Sequence, residues 1–401
     1  MIGLRAAMST AVGKTNYSQL AGAGSMHDVV AIPDHSQIDL EAKVAFLSGV
    51  NAYSPAVNEV TRRETHMSWV FLAGDRVYKL KKPVRFPYLD FLTLAKREAA
   101  CRAELRLNRR LAPDVYLDVT PLKISTHGFS IGGGNGLVVD WLVVMRRLDE
   151  RATLEYAIAT KQLLRWQLDR LADVLFQFYR QAIPTFVTAE RHLVDWSHSL
   201  STNRRMLLDA RLGLPAGLIR HIDYTLRRFL AQRSHLLTAR IRTRHLVDGH
   251  GDLRPEHIWL GDPVRIIDCL EFNDRLRMVD PFDEIAFLDL ECERLGAAWA
   301  GRYVRCKMAH GLPAGVPKDL YLFYRCHRAT LRARLAIVHL LEPNPRTPEK
   351  WPVLARKYLR IAEADAVRLD CLLRTREDRK ASAPRAGAGL RPQAVAPMAE
   401  S

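Results

Sequence analysis

Apolar and polar positions alternate with period two through "SWVFLAGDRVYKLKKP", which begins at Ser68, and the Gly74-Asp75 step in its middle is a strong hairpin signal. "YLDVTPLKIS" and "GLVVDWLVVM" add two strand-like runs around the glycine-rich "GGGNG" at 132–136, which reads as a hairpin turn. The spacing is helical over residues 39–53 and again over 92–111, stopping before Pro113. From 154 to 240, "LLRWQLDRLADVLFQFYRQA" and "GLIRHIDYTLRRFLAQRSHLLTARI" carry the apolar stripes of amphipathic helices, and helices return from 283 to 373. Strands early and helices late predict an α+β fold with a small sheet-rich N-terminal lobe and a large helical C-terminal lobe. Residues 1–36 and 374–401 lack periodicity and are expected to be disordered. The chain thus divides into a leader (1–36), an N-terminal lobe (37–147), a helical lobe (148–373) and a tail (374–401).

Composition narrows the function classes. The chain has 401 residues, and 48% hydrophobic with 26% charged residues suffices for a sizeable core. Six cysteines stand singly, without C-x-x-C pairs, which argues against a zinc ribbon or a disulfide framework and for a reducing compartment. No run of eighteen apolar residues occurs, so a cytoplasmic protein without a membrane partner is expected. The net charge is +16, yet the arginines are spread through the helices without interleaved aromatics, so no nucleic-acid partner is expected. Arg325, Arg328 and Arg332 share one helix face, which reads either as a solvated stripe or as a surface for an anionic or neutral substrate. "AVGKT" at 11–15 has the end of a P-loop without its beginning, because Met8 stands where the first glycine is required.

The chemistry gathers in "GHGDLRPEHIWLGDPVRIIDCLEFN", starting at Gly249. Asp252 sits in a loop, "HIWL" and "VRIID" flank a turn at Gly261-Asp262-Pro263, and Asp268 ends the second strand. Such a hairpin brings two carboxylates to one end. Phosphoryl transfer uses that arrangement: one carboxylate orients or deprotonates an attacking hydroxyl, and another binds the magnesium that neutralises the nucleotide phosphates.

These residues resemble the "HGDLHxxN…IDFE" signature of the aminoglycoside phosphotransferase-like family, which has a protein-kinase-like fold and includes small-molecule kinases. "THMSWVFLAGDRVYKLKKPVRFPYLDF" and "AELRLNRRLAPDVYL" look like the N-terminal lobe of a bacterial branch often fused to a P-loop ATP-binding domain, of which this sequence shows no signature. The resemblance covers roughly residues 45–340. It implies an ATP-dependent phosphotransferase acting on a small-molecule hydroxyl, with ATP and Mg²⁺ as cofactors, Asp252 catalytic and Asp268 a metal ligand. His257 stands where the family has a metal-binding asparagine; imidazole there suits Mn²⁺ or another softer metal, or braces the loop. Lys79 is implied to contact the phosphates, held by Glu104, with Glu98 as the other candidate on that helix. The base is implied to lie against the lobe-linking segment at Met145, Arg146 and Leu148. Asp280 and Asp283 read as helix-capping residues that the resemblance places in support of the catalytic loop. Aminoglycosides, as polycations, suit a chain of this charge poorly. The replacement at His257 also keeps open a nucleotide-binding pseudokinase that regulates a partner protein.

Overall fold

The computed structural model describes residues 39–381 except 87, 313, 314, 343, 344 and 346, and gives only the backbone course over 375–381. The leader with its "AVGKT", and residues 382–401, lie outside the described residues. The fold is bilobal α+β and protein-kinase-like, as expected.

The N-terminal lobe comprises α1 (Leu40–Leu47), β1 (Val60–Glu64), β2 (Ser68–Ala73), β3 (Arg76–Lys81), the small β4 (Arg85–Phe86) and β5 (Leu89–Asp90), α2 (Leu94–Asn108), β6 (Tyr116–Ser125), β7 (Gly128–Ile131) and β8 (Leu137–Arg146). Six strands form one antiparallel sheet in the order β1-β2-β3-β8-β6-β7. Alternation sorts the β8 side chains between two cores. Leu142 and Val144 join Tyr78, Leu80 and Leu47 of α1, whereas Val143 and Met145 join Cys101 of α2 and Tyr116. The buried Asp140 accepts from Lys43 of α1 at 2.8 Å and Arg97 of α2 at 2.7 Å, so one carboxylate fastens both helices to the sheet.

The glycine-rich segment departs from the expected hairpin turn. The short run "GFSI" forms β7, which pairs with β6 on the side away from β8, so residues 132–136 cross the end of β6 between two strands that are not neighbours. Gly136 makes this crossing close: φ +157° is a conformation that residues with a side chain rarely adopt, and a Cβ there would meet the Ile124 carbonyl oxygen at 2.8 Å.

The C-terminal lobe contains α3 (Leu154–Ala159), α4 (Arg165–Gln181), α5 (Ala189–Leu207), α6 (Ala216–Arg242), β9 (Val247–Asp248), β10 (Ile258–Trp259), β11 (Arg265–Ile266), β12 (Met278–Val279), α7 (Pro281–Arg294), α8 (Ala298–Gly311), α9 (Lys318–Ile337) and α10 (Lys350–Ala381). Helix α10 runs on into the segment read as aperiodic. Asp280 caps α7 by accepting from the Phe282 amide, and Pro281 occupies the first helical position. Helix α7 is buried along almost its whole length, although Asp283, Glu284, Asp289 and Glu291 lie on it.

The arginine stripe on α9 answers that buried acidity, and the solvated-face reading is corrected. Arg328 grips Asp283 with two bonds of 2.8 and 2.6 Å, Arg332 reaches Glu291 at 3.1 Å, and Arg325 pairs with Glu293. Helical spacing shows that three arginines share a face; only packing shows that the face is internal. Burial of a charge is tolerable here because each has a counter-charge with hydrogen-bond geometry.

His327 lies in the same core, bonded through Nε2 to Ser199 Oγ at 2.8 Å, and burial together with Arg328 pulls its pKa down to about 3. It is neutral in the folded protein, whereas an unfolded-chain histidine protonates near pH 6.5. Stability from this group is complete above that value and is lost as pH falls towards 3, by about 1.4 kcal/mol per pH unit. Denaturant unfolding from pH 7 to pH 4 is expected to show a shallower decline for His327→Gln than for the wild type; equal slopes would remove His327 as the acid-sensitive group.

Candidate active site

The site is built where the β3–α2 side of the small lobe meets the loops around β9–β12. The period-two alternation of β3 directs Tyr78 and Leu80 into one core and Val77, Lys79 and Lys81 to the opposite face. Lys79 Nζ donates to Glu104 Oε1 at 2.8 Å and to Asp268 Oδ1 at 3.0 Å. Lys81 Nζ donates to the other oxygen of the same glutamate, Oε2, at 2.6 Å and also to Glu271. Glu104 and Lys81 are fully buried. A single carboxylate of α2 is thus shared by two strand lysines, and each lysine also reaches an acid of the large lobe. Glu98, the other candidate, instead pairs on the surface with Arg102 one turn on.

The electrostatics favour full charge on most of this group. Burial works against the Lys79 ammonium, but Asp268 and Glu104 outweigh it and hold the pKa well above the usual lysine value. Asp268 is held well below the ordinary carboxylate range, chiefly by Lys79. Burial raises Glu104 less than Lys79 and Lys81 lower it, whereas Glu271 is pushed up by burial.

Asp252 sits in a loop shaped by backbone constraints. The strands β9 and β12 pair antiparallel and fix both ends, and Gly249 leaves room for the neighbouring acid: a Cβ there would fall 2.6 Å from Glu284 Oε2. Gly251 adopts φ +88°, where a Cβ would also press on Leu270 at 2.9 Å. Glu284 accepts from the His250 amide at 3.0 Å, from the Gly251 amide, and from Tyr179 Oη at 2.9 Å. His250 Nδ1 accepts from the Asp252 amide at 3.3 Å while Nε2 donates to the Ile267 carbonyl at 3.0 Å, which requires a neutral ring. Burial lowers its pKa in the same sense. The acid that supports the loop directly is therefore Glu284. Asp280 and Asp283, expected in that role, turn instead to Arg240 and Arg328.

The β10–β11 hairpin forms at the expected place, pairing Ile258 with Ile266, and brings Asp268 back beside the loop. Asp268 takes φ +63°, an uncommon conformation for a residue with a side chain, and its amide donates to Tyr116 Oη at 3.2 Å. His257 lies between the two aspartates. Its Nδ1 is 3.7 Å from Asp252 Oδ2 and its Nε2 is 3.6 Å from Asp268 Oδ2. Nδ1 also lies 2.9 Å from the Asp252 carbonyl oxygen, which can only accept, so Nδ1 carries a proton and Nε2 is the ring nitrogen that faces Asp268. Asp268 and His257 could thus jointly offer an oxygen and a nitrogen to a cation. Asp252 does not share that point: among the described residues, no choice of one ligand atom from each of these three side chains brings all three within 4.8 Å of one another. Burial raises the Asp252 pKa less than Arg254, His257 and Arg332 lower it, and the carboxylate stays ionised.

Between the lobes lies a cavity of about 320 Å³, lined by Val70, Val77, Lys79, Trp259, Ile267 and Asp268, and also by Met145 and Arg146 at the end of β8 and Leu148 just beyond it. Its mostly apolar wall with a few convergent charged groups is the usual character of a small-ligand site. Lys81, Glu271 and Glu284 were not singled out from the sequence. Lys81 shares the parity of Lys79, Glu271 follows Asp268 by three positions, and Glu284 adjoins Asp283, but nothing in the sequence ranks them above their neighbours.

No family model matches the chain. Uncharacterized proteins of Mycobacterium tuberculosis and Mycobacterium bovis are 34% identical to it over 290 residues, which is 71% of this chain and 56% of theirs. The chain thus spans about half the length of the curated relatives it matches. Among solved structures, a choline/ethanolamine kinase family protein from Mesorhizobium loti aligns over 83% of this chain and 99% of its own, with 16% identity and a TM-score of 0.48. A choline kinase from Cryptosporidium parvum aligns over 80% and 90%, with 10% identity and a TM-score of 0.44. A thermostable mutant of aminoglycoside phosphotransferase APH(4)-Ia, in ternary complex with AMP-PNP and hygromycin B, aligns over 82% and 97%, with 11% identity and a TM-score of 0.45.

The loop geometry carries a direct expectation. Glu284→Gln keeps the shape of the side chain but replaces a charged double acceptor beneath two amides, so the free energy of unfolding in urea should fall by about 1–3 kcal/mol. An unchanged midpoint and slope would mean that the loop does not depend on this carboxylate.

Proposed function

We propose that the protein is an ATP-dependent phosphotransferase whose acceptor is the hydroxyl of a small molecule. The observation that carries this reading is the contact of Lys79 with both Glu104 and Asp268 at the wall of the interlobe cavity, with Asp252 one imidazole away. Phosphoryl transfer needs little covalent work from a protein and much positioning and charge neutralisation. This cluster supplies both.

In this reading the adenine packs against the apolar wall near Met145 and Leu148, with Arg146 alongside, and the phosphates extend towards Lys79. Asp268 and the Nε2 of His257 hold the divalent ion, whose chemistry is to neutralise phosphate charge. The carboxylate oxygen of Asp268 would suit Mg²⁺, and the nitrogen donor of His257 would admit Mn²⁺ as well. Lys79 then moves its interaction from Asp268 to the phosphates while Glu104 keeps hold of it. Asp252, ionised and beyond the imidazole, accepts the proton of the attacking hydroxyl and aligns its oxygen. Lys81 and Glu271 keep the lobes joined while the Lys79–Asp268 contact is exchanged.

A pseudokinase that binds nucleotide and regulates a partner is the second reading, and His257 is the observation that favours it. The two separate in one experiment, with nucleotide binding measured by calorimetry and turnover against a broad panel of hydroxylated metabolites. Asp252→Ala should retain nucleotide binding and lose at least about 10³-fold in turnover, while Asp268→Asn should lose metal-dependent binding with its circular dichroism unchanged. Binding without turnover by the wild type across the panel would give the second reading; binding unaffected by Asp268→Asn would overturn both.

His257→Asn tests the metal assignment separately. An amide oxygen replaces an imidazole nitrogen, so activity should be kept or raised with Mg²⁺ and should fall relative to wild type with Mn²⁺. A metal preference identical to wild type would exclude His257 as a ligand.

A further inference from the structure

A second cluster of donor groups lies away from the phosphate-transfer machinery, at the other junction between the lobes. The turn between β1 and β2 carries His66, and the segment after α9 carries His339 and Glu342. One donor atom from each of these three side chains lies within 4.8 Å of the other two. His339 Nδ1 approaches Glu342 Oε1 at 2.7 Å, and His66 Nε2 approaches the same oxygen at 3.7 Å. The imidazoles face one another with centroids 4.6 Å apart. All three groups border a cavity of about 350 Å³ that also touches Glu64, Lys82 and Trp351.

The supports of the cluster are better built than a chance surface encounter requires. His339 packs on the Trp351 ring with centroids 4.1 Å apart, so the side chain is held from behind. The turn bearing His66 is closed by the Thr65 amide donating to the Ser68 carbonyl at 2.8 Å and the Ser68 amide donating to Thr65 Oγ1 at 3.0 Å. Two imidazoles and one glutamate are a donor set that zinc-class ions take with a fourth position left open, at bonds of about 2.0–2.2 Å. Around such an ion the donor atoms stand roughly 3.3–3.6 Å apart; His66 Nε2, 3.7 Å from Glu342 Oε1, is near that spacing, and His339 Nδ1, 2.7 Å from the same oxygen, has to open by somewhat under an ångström, which soft rotation about the terminal torsions of histidine and glutamate provides. Magnesium, which prefers an all-oxygen octahedron, is poorly served by two nitrogens.

We propose that His66, His339 and Glu342 bind a divalent ion of the zinc class and that the ion clasps the β1–β2 turn to the large lobe. The clasp bears on the interlobe cavity because Thr65 and Met67, on either side of His66, line that cavity, and Thr65 borders both cavities. Closing the three donors on one ion therefore fixes one wall of the ligand cleft. This site is independent of the phosphotransferase reading: it stands or falls without nucleotide, and its preferred ion differs from magnesium.

The test uses the full chain carrying Asp268→Asn, so that the other cation site is weakened, titrated calorimetrically with ZnCl₂ in excess Mg²⁺. One equivalent is expected to bind, and adding His66→Ala or His339→Ala is expected to weaken affinity at least about 100-fold. Since His339→Ala also removes packing on Trp351, Glu342→Gln serves as a second variant that leaves that contact in place. Cobalt(II) should give the visible absorption of a low-coordinate nitrogen–oxygen site, lost in the same variants. No zinc uptake by the Asp268→Asn chain, or equal affinity after His66→Ala, would overturn the site. Amide exchange over residues 64–68 should slow when zinc is added to Asp268→Asn and not when His66 is also replaced; unchanged exchange with zinc bound would overturn the clasp.

Discussion

Glu104 is the constraint on which the rest of the site depends. Its two oxygens, fully buried, are divided between Lys79 and Lys81 on one strand face. A buried carboxylate with one lysine would be a costly ion pair of ordinary kind; with two, the acid is fully occupied and each lysine retains donors for a second partner. Those second partners, Asp268 and Glu271, belong to the other lobe. The interlobe geometry is thus tied through one buried residue of α2.

The loop around Asp252 shows a complementary logic, in which backbone groups are satisfied first and side chains are aimed second. Glu284 collects the amides of His250 and Gly251, His250 is locked in a neutral tautomer between an amide and a carbonyl, and His257 is locked by the Asp252 carbonyl. Each lock removes a rotamer or a protonation state. What remains is an ionised Asp252 on one edge of an imidazole and Asp268 on the other, kept apart by the width of a ring.

The charge of the chain also takes a different meaning inside the fold. A formal +16 suggests a surface looking for an anion. Yet Arg240, Arg325 and Arg328 are buried and Arg332 nearly so, and they oppose Asp280, Glu293, Asp283 and Glu291. Much of the basic character of α9 is internal mortar for an acidic α7. Among the described residues no helix is long and apolar enough to cross a membrane.

The sequence alone determined what is local and periodic. The Gly74-Asp75 hairpin, the face shared by Lys79 and Lys81, the Asp280-Pro281 helix start, and the hairpin between Asp252 and Asp268 all follow from turn chemistry and from side-chain direction repeating every two or 3.6 residues. The order of strands and helices was enough for the two-lobed α+β class. Only the tertiary structure decided which partners these side chains meet. It chose Glu104 over Glu98, gave the support of the loop to Glu284 rather than to Asp283, turned the glycine-rich stretch into a crossing over β6, drew the arginine stripe inward, and set His66 beside His339. Periodicity states which face a side chain occupies; it carries no information about what another part of the chain, hundreds of residues away, will place against that face.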